Sequence, residues 1–154
     1  MIISFFGHSS FPCGKEWEDR LLSTIEAEIG DKSEGRDSQT DFLLGNYGNF
    51  DALAYRVCKK YKSNHPRSRL IFVTPYISEG YGKLAVSSHD YDLTIYPEIE
   101  DKPKRFAITY RNRYMAEAAD LVICYINRTS GGAYQAVNYA RKLGRRIINL
   151  AKIE

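Results

Sequence analysis

The chain has 154 residues, of which 44% are hydrophobic and 27% charged, with a formal net charge of +3 and a pI near 8.7. This length predicts one domain, residues 1–154, whose core needs no disulfide or metal for stability. The net charge is too small to argue for nucleic acid, although it suits a small anionic ligand if the positive charge is local. We therefore do not expect nucleic acid as a partner.

The cysteines and the hydropathy pattern favour a cytoplasmic protein. The chain has an odd number of cysteines, Cys13, Cys58 and Cys124. Their spacing matches no metal or redox motif. Cys58 and Cys124 lie in apolar patterns typical of core residues. No apolar run is long enough to cross a membrane, and the N-terminus lacks the basic segment of a signal peptide. We expect no metal, no cofactor and no membrane association.

Strands alternate with helices along the chain. Apolar β-branched runs predict strands, and apolar residues three and four apart predict helices. In order, the sequence predicts strand 2–6, helix 15–29, strand 40–44, a helix starting near residue 50 and broken at residue 65, strand 69–74, strand 91–96, helix 106–119, strand 121–126, helix 133–143 and strand 145–150, with loops at 31–38 and 76–90. The apolar stripe of helix 106–119 is predicted to comprise Phe106, Tyr110, Tyr114 and Ala118. This alternation predicts an α/β, Rossmann-like three-layer sandwich, with a mostly parallel sheet and helices on both faces.

Three predicted strands end in turns rich in glycine or small polar residues. Ligands of parallel α/β sheets bind beyond the carboxyl ends of the strands, so three such turns on one edge predict a nucleotide-like ligand. In the third turn, Gly131 and Gly132 open a helix, where free N–H groups and the helix dipole attract phosphate. The two glycines could instead make only a tight turn. The candidate binding residues are Gly7, His8 and Ser9 in the first turn, Gly45, Asn46, Tyr47 and Gly48 in the second, and Thr129, Ser130, Gly131, Gly132 and Ala133 in the third.

Side chains beside these turns offer further candidates, each with a structural alternative. Asp51 could contact a ribose or take part in chemistry, or it could only charge the first turn of its helix. His8 could bond a phosphate or be a structural turn residue. Tyr47, Tyr76 and Tyr134 lie at or next to predicted strand ends, and one of them could stack on a base.

Three segments resemble the signature of the LOG family, also called lysine-decarboxylase-like. They are Arg111-Asn-Arg-Tyr-Met115, Ala119-Asp120-Leu-Val-Ile and Ser130-Gly131-Gly132. The family pattern is Arg-Lys-x-x-Met, Ala-Asp-Ala-Phe-Ile and Pro-Gly-Gly-x-Gly-Thr-x-x-Glu. The turns after the first two strands are similar to that family's Gly-Ser-Ser and Tyr-Gly-Gly-Gly turns. The resemblance covers nearly the whole chain and suggests a short stand-alone member of the SLOG superfamily of Rossmann-like domains.

This resemblance implies a nucleotide-derived, phosphate-bearing ligand, with Arg111 pairing a phosphate and Arg113 facing solvent. LOG enzymes use an arginine and the glutamate of their glycine motif to release a base. Asn138 stands in place of that glutamate, and an amide cannot transfer a proton as a carboxylate does. We therefore assign no catalytic residue. The expected function is to sense or sequester a ligand such as an ADP-ribose-type or cyclic nucleotide signal, in a role such as anti-phage defence.

Two other functions stay open. The first is a nucleotide N-glycosidic hydrolase in which Asp51 or another carboxylate replaces the missing glutamate. The second is a nucleic-acid-binding module, because DNA-processing proteins also carry related folds. The small net charge and the absence of a long basic run argue against this second alternative. SLOG proteins often dimerise, so the resemblance also implies a homodimer or a higher homo-oligomer.

Overall fold

A computed structural model describes residues 1–12, 14–30, 39–76 and 90–151. Its elements are β1 (Ile2–Gly7), α1 (Lys15–Gly30), β2 (Asp41–Leu44), α2 (Asn49–Asn64), β3 (Arg69–Val73), β4 (Leu93–Ile95), α3 (Ala107–Ala118), β5 (Leu121–Tyr125), α4 (Gly132–Lys142) and β6 (Arg146–Asn149). A single 3-10 turn, Lys104–Phe106, leads into α3. Every predicted element is present, with ends that differ by a few residues. The predicted loop 31–38, most of the loop 76–90 and Cys13 lie outside the described residues.

The described strands form one parallel sheet in the order β4-β3-β2-β1-β5-β6. The chain moves outward from β1 to β4, then crosses back to place β5 on the other side of β1. The order therefore reverses between β1 and β5, which pair from Ile3 with Leu121 to Gly7 with Tyr125. In doubly wound sheets, ligands bind in the crevice beyond the carboxyl ends of two such strands. The predicted Rossmann-like fold is confirmed.

The sheet separates two apolar cores. Because side chains alternate along a strand, Phe5 of β1 enters the core beneath α1 and α2, and Phe6 enters the core beneath α3 and α4. Cys58 and Cys124 are buried, one in each core, as the apolar pattern around them predicts. The two cores fix the helices on opposite faces, and this leaves the carboxyl edge of the sheet open between α2 and the α3–α4 pair.

The buried face of α3 differs from the prediction. Its buried residues are Ala107, Arg111, Met115 and Ala116, whereas Phe106 is 42% exposed. The predicted buried stripe is displaced by one residue from the observed one. This displacement corresponds to a rotation of about 100° about the helix axis. The aromatic rings can stay at a wet boundary because they are large and partly polar. Arg111 can be buried because its guanidinium finds partners inside the protein.

The described ranges contain neither a membrane-spanning helix nor a metal-binding cluster. None of the helices there combines the length and apolarity needed to cross a membrane. The same ranges contain no group of three or more His, Cys, Asp or Glu side chains arranged to hold a metal ion.

Candidate functional site

A cleft of about 210 Å³ opens at the carboxyl edge of the sheet, where β1 and β5 end. It lies at the reversal of strand order, so the three predicted turns meet there. Most of the predicted site residues line it: Gly7, His8, Ser9, Gly45, Tyr47, Asp51, Arg111, Gly131, Gly132 and Ala133. The tertiary structure thus brings together residues from four separate parts of the chain.

The other predicted residues do not line the cleft. Asn46 and Gly48 flank Tyr47 in the second turn, and Thr129 and Ser130 are exposed in the third. Tyr76 lies beyond β3, where its N–H donates to Thr74 Oγ1 at 3.2 Å. Tyr134 is within α4 and is also not part of the lining.

Several lining residues were not predicted. Arg128 lies in the third turn, and a cation just before a Gly-Gly helix start was an available sequence signal. Ile108, Asn112 and Met115 come from α3, and Phe5 and Phe6 come from the end of β1. The α3 residues could not be found from the sequence, because the predicted stripe placed the wrong face of α3 against the sheet.

Two glycines bring the first and second turns together. A Cβ on Gly7 would overlap the ring of Phe50 and lie 2.6 Å from its Cβ, so glycine lets α2 start directly against β1. Gly48 has φ 95°, and a Cβ there would lie 2.5 Å from Ser9 Cα. The N–H of Asn49 also donates to Ser9 O at 3.1 Å. Both glycines are therefore required by packing between these turns.

Arg111 is a buried cation behind the cleft, with 4% of its surface exposed. Its Nη1 donates to Val73 O at 3.0 Å, and its Nε donates to Asn112 Oδ1 at 2.9 Å. A Cβ on Gly45 would lie 2.8 Å from Asp51 Oδ2 and 3.0 Å from Arg111 Nη1. Gly45 therefore leaves room for a carboxylate and a guanidinium to lie together. The Arg111 guanidinium is the counter-charge of the Asp51 carboxylate, and it also forms part of the cleft wall.

Asp51 positions the second turn. Its Oδ2 accepts the N–H of Tyr47 at 2.9 Å, while the Tyr47 side chain is 66% exposed at the mouth of the cleft. Desolvation raises the pKa of Asp51 to about 6, although Arg111 and the Tyr47 N–H both favour the charged carboxylate. The Asp51 carboxyl thus holds the backbone of the turn that carries the exposed Tyr47 ring.

The Asp51 carboxyl should make stability fall as pH rises. Its folded-state pKa is about 6 against a model value of 3.8, so the folded protein binds more protons between these values. Relative to Asp51→Asn, the wild type should therefore lose up to about 3 kcal/mol of unfolding free energy between pH 4 and pH 7, at about 1.36 kcal/mol per pKa unit. Urea unfolding of both proteins across this range measures the difference.

Asp92 provides a control of opposite sign. Burial alone would raise its pKa, but hydrogen bonds from Lys62 and from the Leu70 N–H bring it below its usual value. The stability that Asp92 contributes should therefore be lost as pH falls, so Asp92→Asn should approach the wild type in acid. A pH-independent difference between Asp51→Asn and wild type would show that the Asp51 carboxyl is solvated.

His8 joins the first turn to the third. It is buried, and its Nε2 accepts the N–H of Asn127 at 3.3 Å. Burial lowers its pKa, and the nearby Arg128 lowers it further, so the ring is neutral at pH 7. A neutral ring that accepts at Nε2 carries its proton on Nδ1.

The third turn presents positive charge to the cleft. Gly131 precedes α4 with φ 99°, and no side chain caps the helix there. The first turn of α4 contains no acidic residue, so its N–H groups and dipole are not neutralised by a local carboxylate. The exposed Arg128 adds a full charge, with its Nη2 4.0 Å from the position a Cβ on Gly131 would take. This rim of the cleft suits an anion.

Solved structures of DNA processing protein A share this fold. The Helicobacter pylori protein, described for its unique single-stranded DNA binding mode, matches with a TM-score of 0.59 and 14% identity, over 96% of this chain and 63% of that chain. The Streptococcus pneumoniae protein matches with a TM-score of 0.61 and 16% identity, over 94% of this chain and 48% of that chain. The chain thus spans about half to two thirds of those proteins. At these identities the likeness establishes the fold alone. No family model and no curated protein matches the sequence.

These comparisons overturn the assignment to the LOG family and the SLOG superfamily. The matching structures are DNA processing proteins, and no family model supports the assignment. Asn138, placed in register with the LOG glutamate, does not line the cleft, and its Oδ1 accepts from Arg141 Nη1 at 3.0 Å. Strand–glycine–helix junctions recur in Rossmann-like sheets, so short motifs at such junctions discriminate poorly between families. The small-molecule sensor, its ADP-ribose or cyclic nucleotide ligand and the anti-phage role are therefore withdrawn.

Proposed function

We propose that the cleft binds single-stranded DNA. The observation that carries this proposal is the rim of the cleft, where Arg128 and the uncapped start of α4 lie at the same sheet edge as the exposed ring of Tyr47. Positive charge that follows a phosphate backbone and an aromatic ring that stacks on a base are the two parts of a single-strand site. The match to a structure described for single-stranded DNA binding supports the proposal. It replaces the expectation that nucleic acid is not a partner.

The dimensions of the cleft favour part of a polymer over an enclosed small molecule. Its volume of about 210 Å³ is below the roughly 300–1,000 Å³ of pockets that enclose such ligands. Its rim residues Ser9, Tyr47, Arg128, Gly131 and Gly132 are exposed. A strand could place one base or phosphate in the cleft and continue along the surface. The bases of a duplex are already stacked and would not be available to Tyr47.

The total charge of +3 does not describe the charge of the cleft itself. Several carboxylates lie at the amino edge of the sheet, opposite the cleft. Asp41 pairs with Arg69, both at the starts of strands, and Glu28 pairs with Arg146 at the start of β6. Asp120 accepts the N–H of Ile2 beside the start of β5. These carboxylates lie away from the cleft, whose described lining contains two arginines, Arg111 and Arg128, and one carboxylate, Asp51.

Changing Tyr47 and Arg128 tests the site. Fluorescence anisotropy with a labelled thymidine oligonucleotide of about 15 nucleotides should show binding by the wild type. Tyr47→Ala should weaken it about 5- to 150-fold, because stacking on one base contributes about 1–3 kcal/mol. Arg128→Gln should reduce the slope of log affinity against log salt by about 0.7, because one phosphate contact is lost.

Conservative variants separate chemistry from folding. Tyr47→Phe keeps the stacking surface and Arg128→Lys keeps the charge, so both should bind more tightly than Tyr47→Ala and Arg128→Gln. An unlabelled duplex of the same length should compete poorly with the single strand. Equal competition by the duplex, or Tyr47→Ala binding as the wild type does, would contradict the proposal. The proposal keeps the single domain over residues 1–154 and the cytoplasmic location that the sequence predicts, with single-stranded DNA in place of the nucleotide-derived ligand.

A further inference from the structure

A second groove runs between α3 and α4 and continues from the cleft. Its volume is about 330 Å³, and it shares Ile108, Asn112 and Gly132 with the lining of the cleft. These three residues form a wall that the cleft and the groove share. A bound polymer that leaves the cleft over Gly132 would therefore enter the second groove directly. We call this feature the α3–α4 groove.

The α3–α4 groove combines basic and aromatic side chains. Arg113 lies over two tyrosine rings, 5.2 Å from the centroid of Tyr110 and 5.3 Å from that of Tyr139. Lys142, at the end of α4, also lines the groove, and no Asp or Glu is among its described lining residues. Glu117, the carboxylate next to it, accepts from the Tyr139 hydroxyl and so helps to hold that ring. Arg113 is therefore fixed by its aromatic neighbours.

Asn112 presents an amide donor where the cleft meets the α3–α4 groove. Arginine Nε can only donate, so the Asn112 atom 2.9 Å from Arg111 Nε must be the oxygen. Arg111 is itself held by Val73 O, which fixes the direction of the amide. In the described parts of the chain, the Asn112 Nδ2 group has no hydrogen-bond acceptor, and Asn112 lines both the cleft and the α3–α4 groove. Asn138 also lines the α3–α4 groove, and its amide oxygen likewise accepts a hydrogen bond from an arginine, Arg141.

We infer that the DNA strand bound in the cleft continues into the α3–α4 groove. Asn112 donates a hydrogen bond to the strand at the junction, and Arg113 and Lys142 pair with phosphates beyond it. This inference rests on the proposed function and adds a second subsite and a path for the strand. It follows that affinity depends on strand length, because only a longer oligonucleotide reaches both subsites.

A length series on the wild type and on Arg113→Gln/Lys142→Gln tests the second subsite. In the wild type, affinity should rise steadily from about 4 to about 12 nucleotides, within the range of single-strand site sizes. The double variant should bind the shortest oligonucleotide as the wild type does and lose most of the gain with length. Its salt slope for the long oligonucleotide should be smaller by about 1.4, because two cations are removed.

Asn112→Asp tests the junction. Aspartate keeps an oxygen that can accept from Arg111 Nε, so the protein should fold at least as stably as the wild type. It replaces the amide donor with an acceptor and adds negative charge, so affinity for the long oligonucleotide should fall at least about 10-fold. Thermal unfolding of the same sample shows whether folding is retained.

The outcomes distinguish the two levels of the proposal. If no single-stranded oligonucleotide binds the wild type at any length, the proposed function fails. If short oligonucleotides bind and the double variant keeps the full gain with length, the function stands and the second subsite is wrong. If the double variant loses that gain and still binds short oligonucleotides as the wild type does, the path through the α3–α4 groove is supported, and a weaker long-strand affinity of Asn112→Asp then places Asn112 on this path.

Discussion

Replacing Arg111 with methionine is expected to lower the free energy of unfolding by about 3–5 kcal/mol at pH 8. The guanidinium is 4% exposed and donates to Val73 O and to Asn112. Methionine has a similar length but provides neither the donors nor the charge. Asp51 would then be an uncompensated carboxylate in a desolvated place, and its pKa would rise above the present value of about 6. Urea denaturation at pH 8 measures the loss.

The loss should be smaller at low pH, because a protonated Asp51 needs no counter-charge. Combining Arg111→Met with Asp51→Asn should therefore recover part of the stability at pH 8. Arg113→Met is the matched control on the same helix, since Arg113 is exposed and its loss should cost less than about 1 kcal/mol. If Arg111→Met and Arg113→Met have equal effects, the buried pair does not contribute to stability as described.

Replacing Gly7 with alanine is expected to destabilise the protein by about 3 kcal/mol, the upper part of the range for overpacking a core. The new methyl group would overlap the ring of Phe50. That ring is fully buried and packs edge-on against Phe11, with 5.4 Å between the centroids, so it has little freedom to move. The start of α2 would have to shift away from β1, which would also separate the first and second turns. Thermal and urea unfolding measure the cost.

Gly132→Ala is the matched control, because no heavy atom lies within 4 Å of the position its Cβ would take. Alanine favours the helix over glycine, so this change should leave stability unchanged or raise it by up to about 1 kcal/mol. Adding Phe50→Leu to Gly7→Ala should cost less than the sum of the two single changes, because the smaller side chain makes room. Strict additivity would mean that Gly7 and Phe50 do not compete for space.

These two predictions affect how binding experiments are designed. Arg111 and Gly7 both border the cleft, so a loss of the proposed DNA binding in their variants would not separate a direct contact from a change in the fold. Tyr47 and Arg128 are exposed, so their variants should keep the native stability. Stability must therefore be measured for every binding variant.

The pattern of apolar residues along the chain predicted the fold, because helices and strands each follow from the spacing of those residues. The alternating apolar segments place β1 and β5 within about one residue of their predicted ends, and α2 carries the predicted apolar residues Phe50, Leu53 and Val57 in its buried face. The rule that ligands bind at the carboxyl edge of a parallel sheet then selected the three turns that line the cleft. The resemblance to a family added a ligand that the structural comparisons contradict.

The α/β alternation, the parallel sheet and the turns that form the cleft are predictable from the sequence, because each depends on short-range hydrophobic periodicity and turn chemistry. The folded structure was needed to show which way α3 faces, that Arg111 is buried beside Asp51, and that Arg128 and Asn112 join the site. It also decided where the charges lie, with ion pairs at the amino edge and basic side chains beside the cleft. Such properties arise from contacts between residues far apart in the chain, and the free energy of burying a charge depends on partners that only the folded protein brings together.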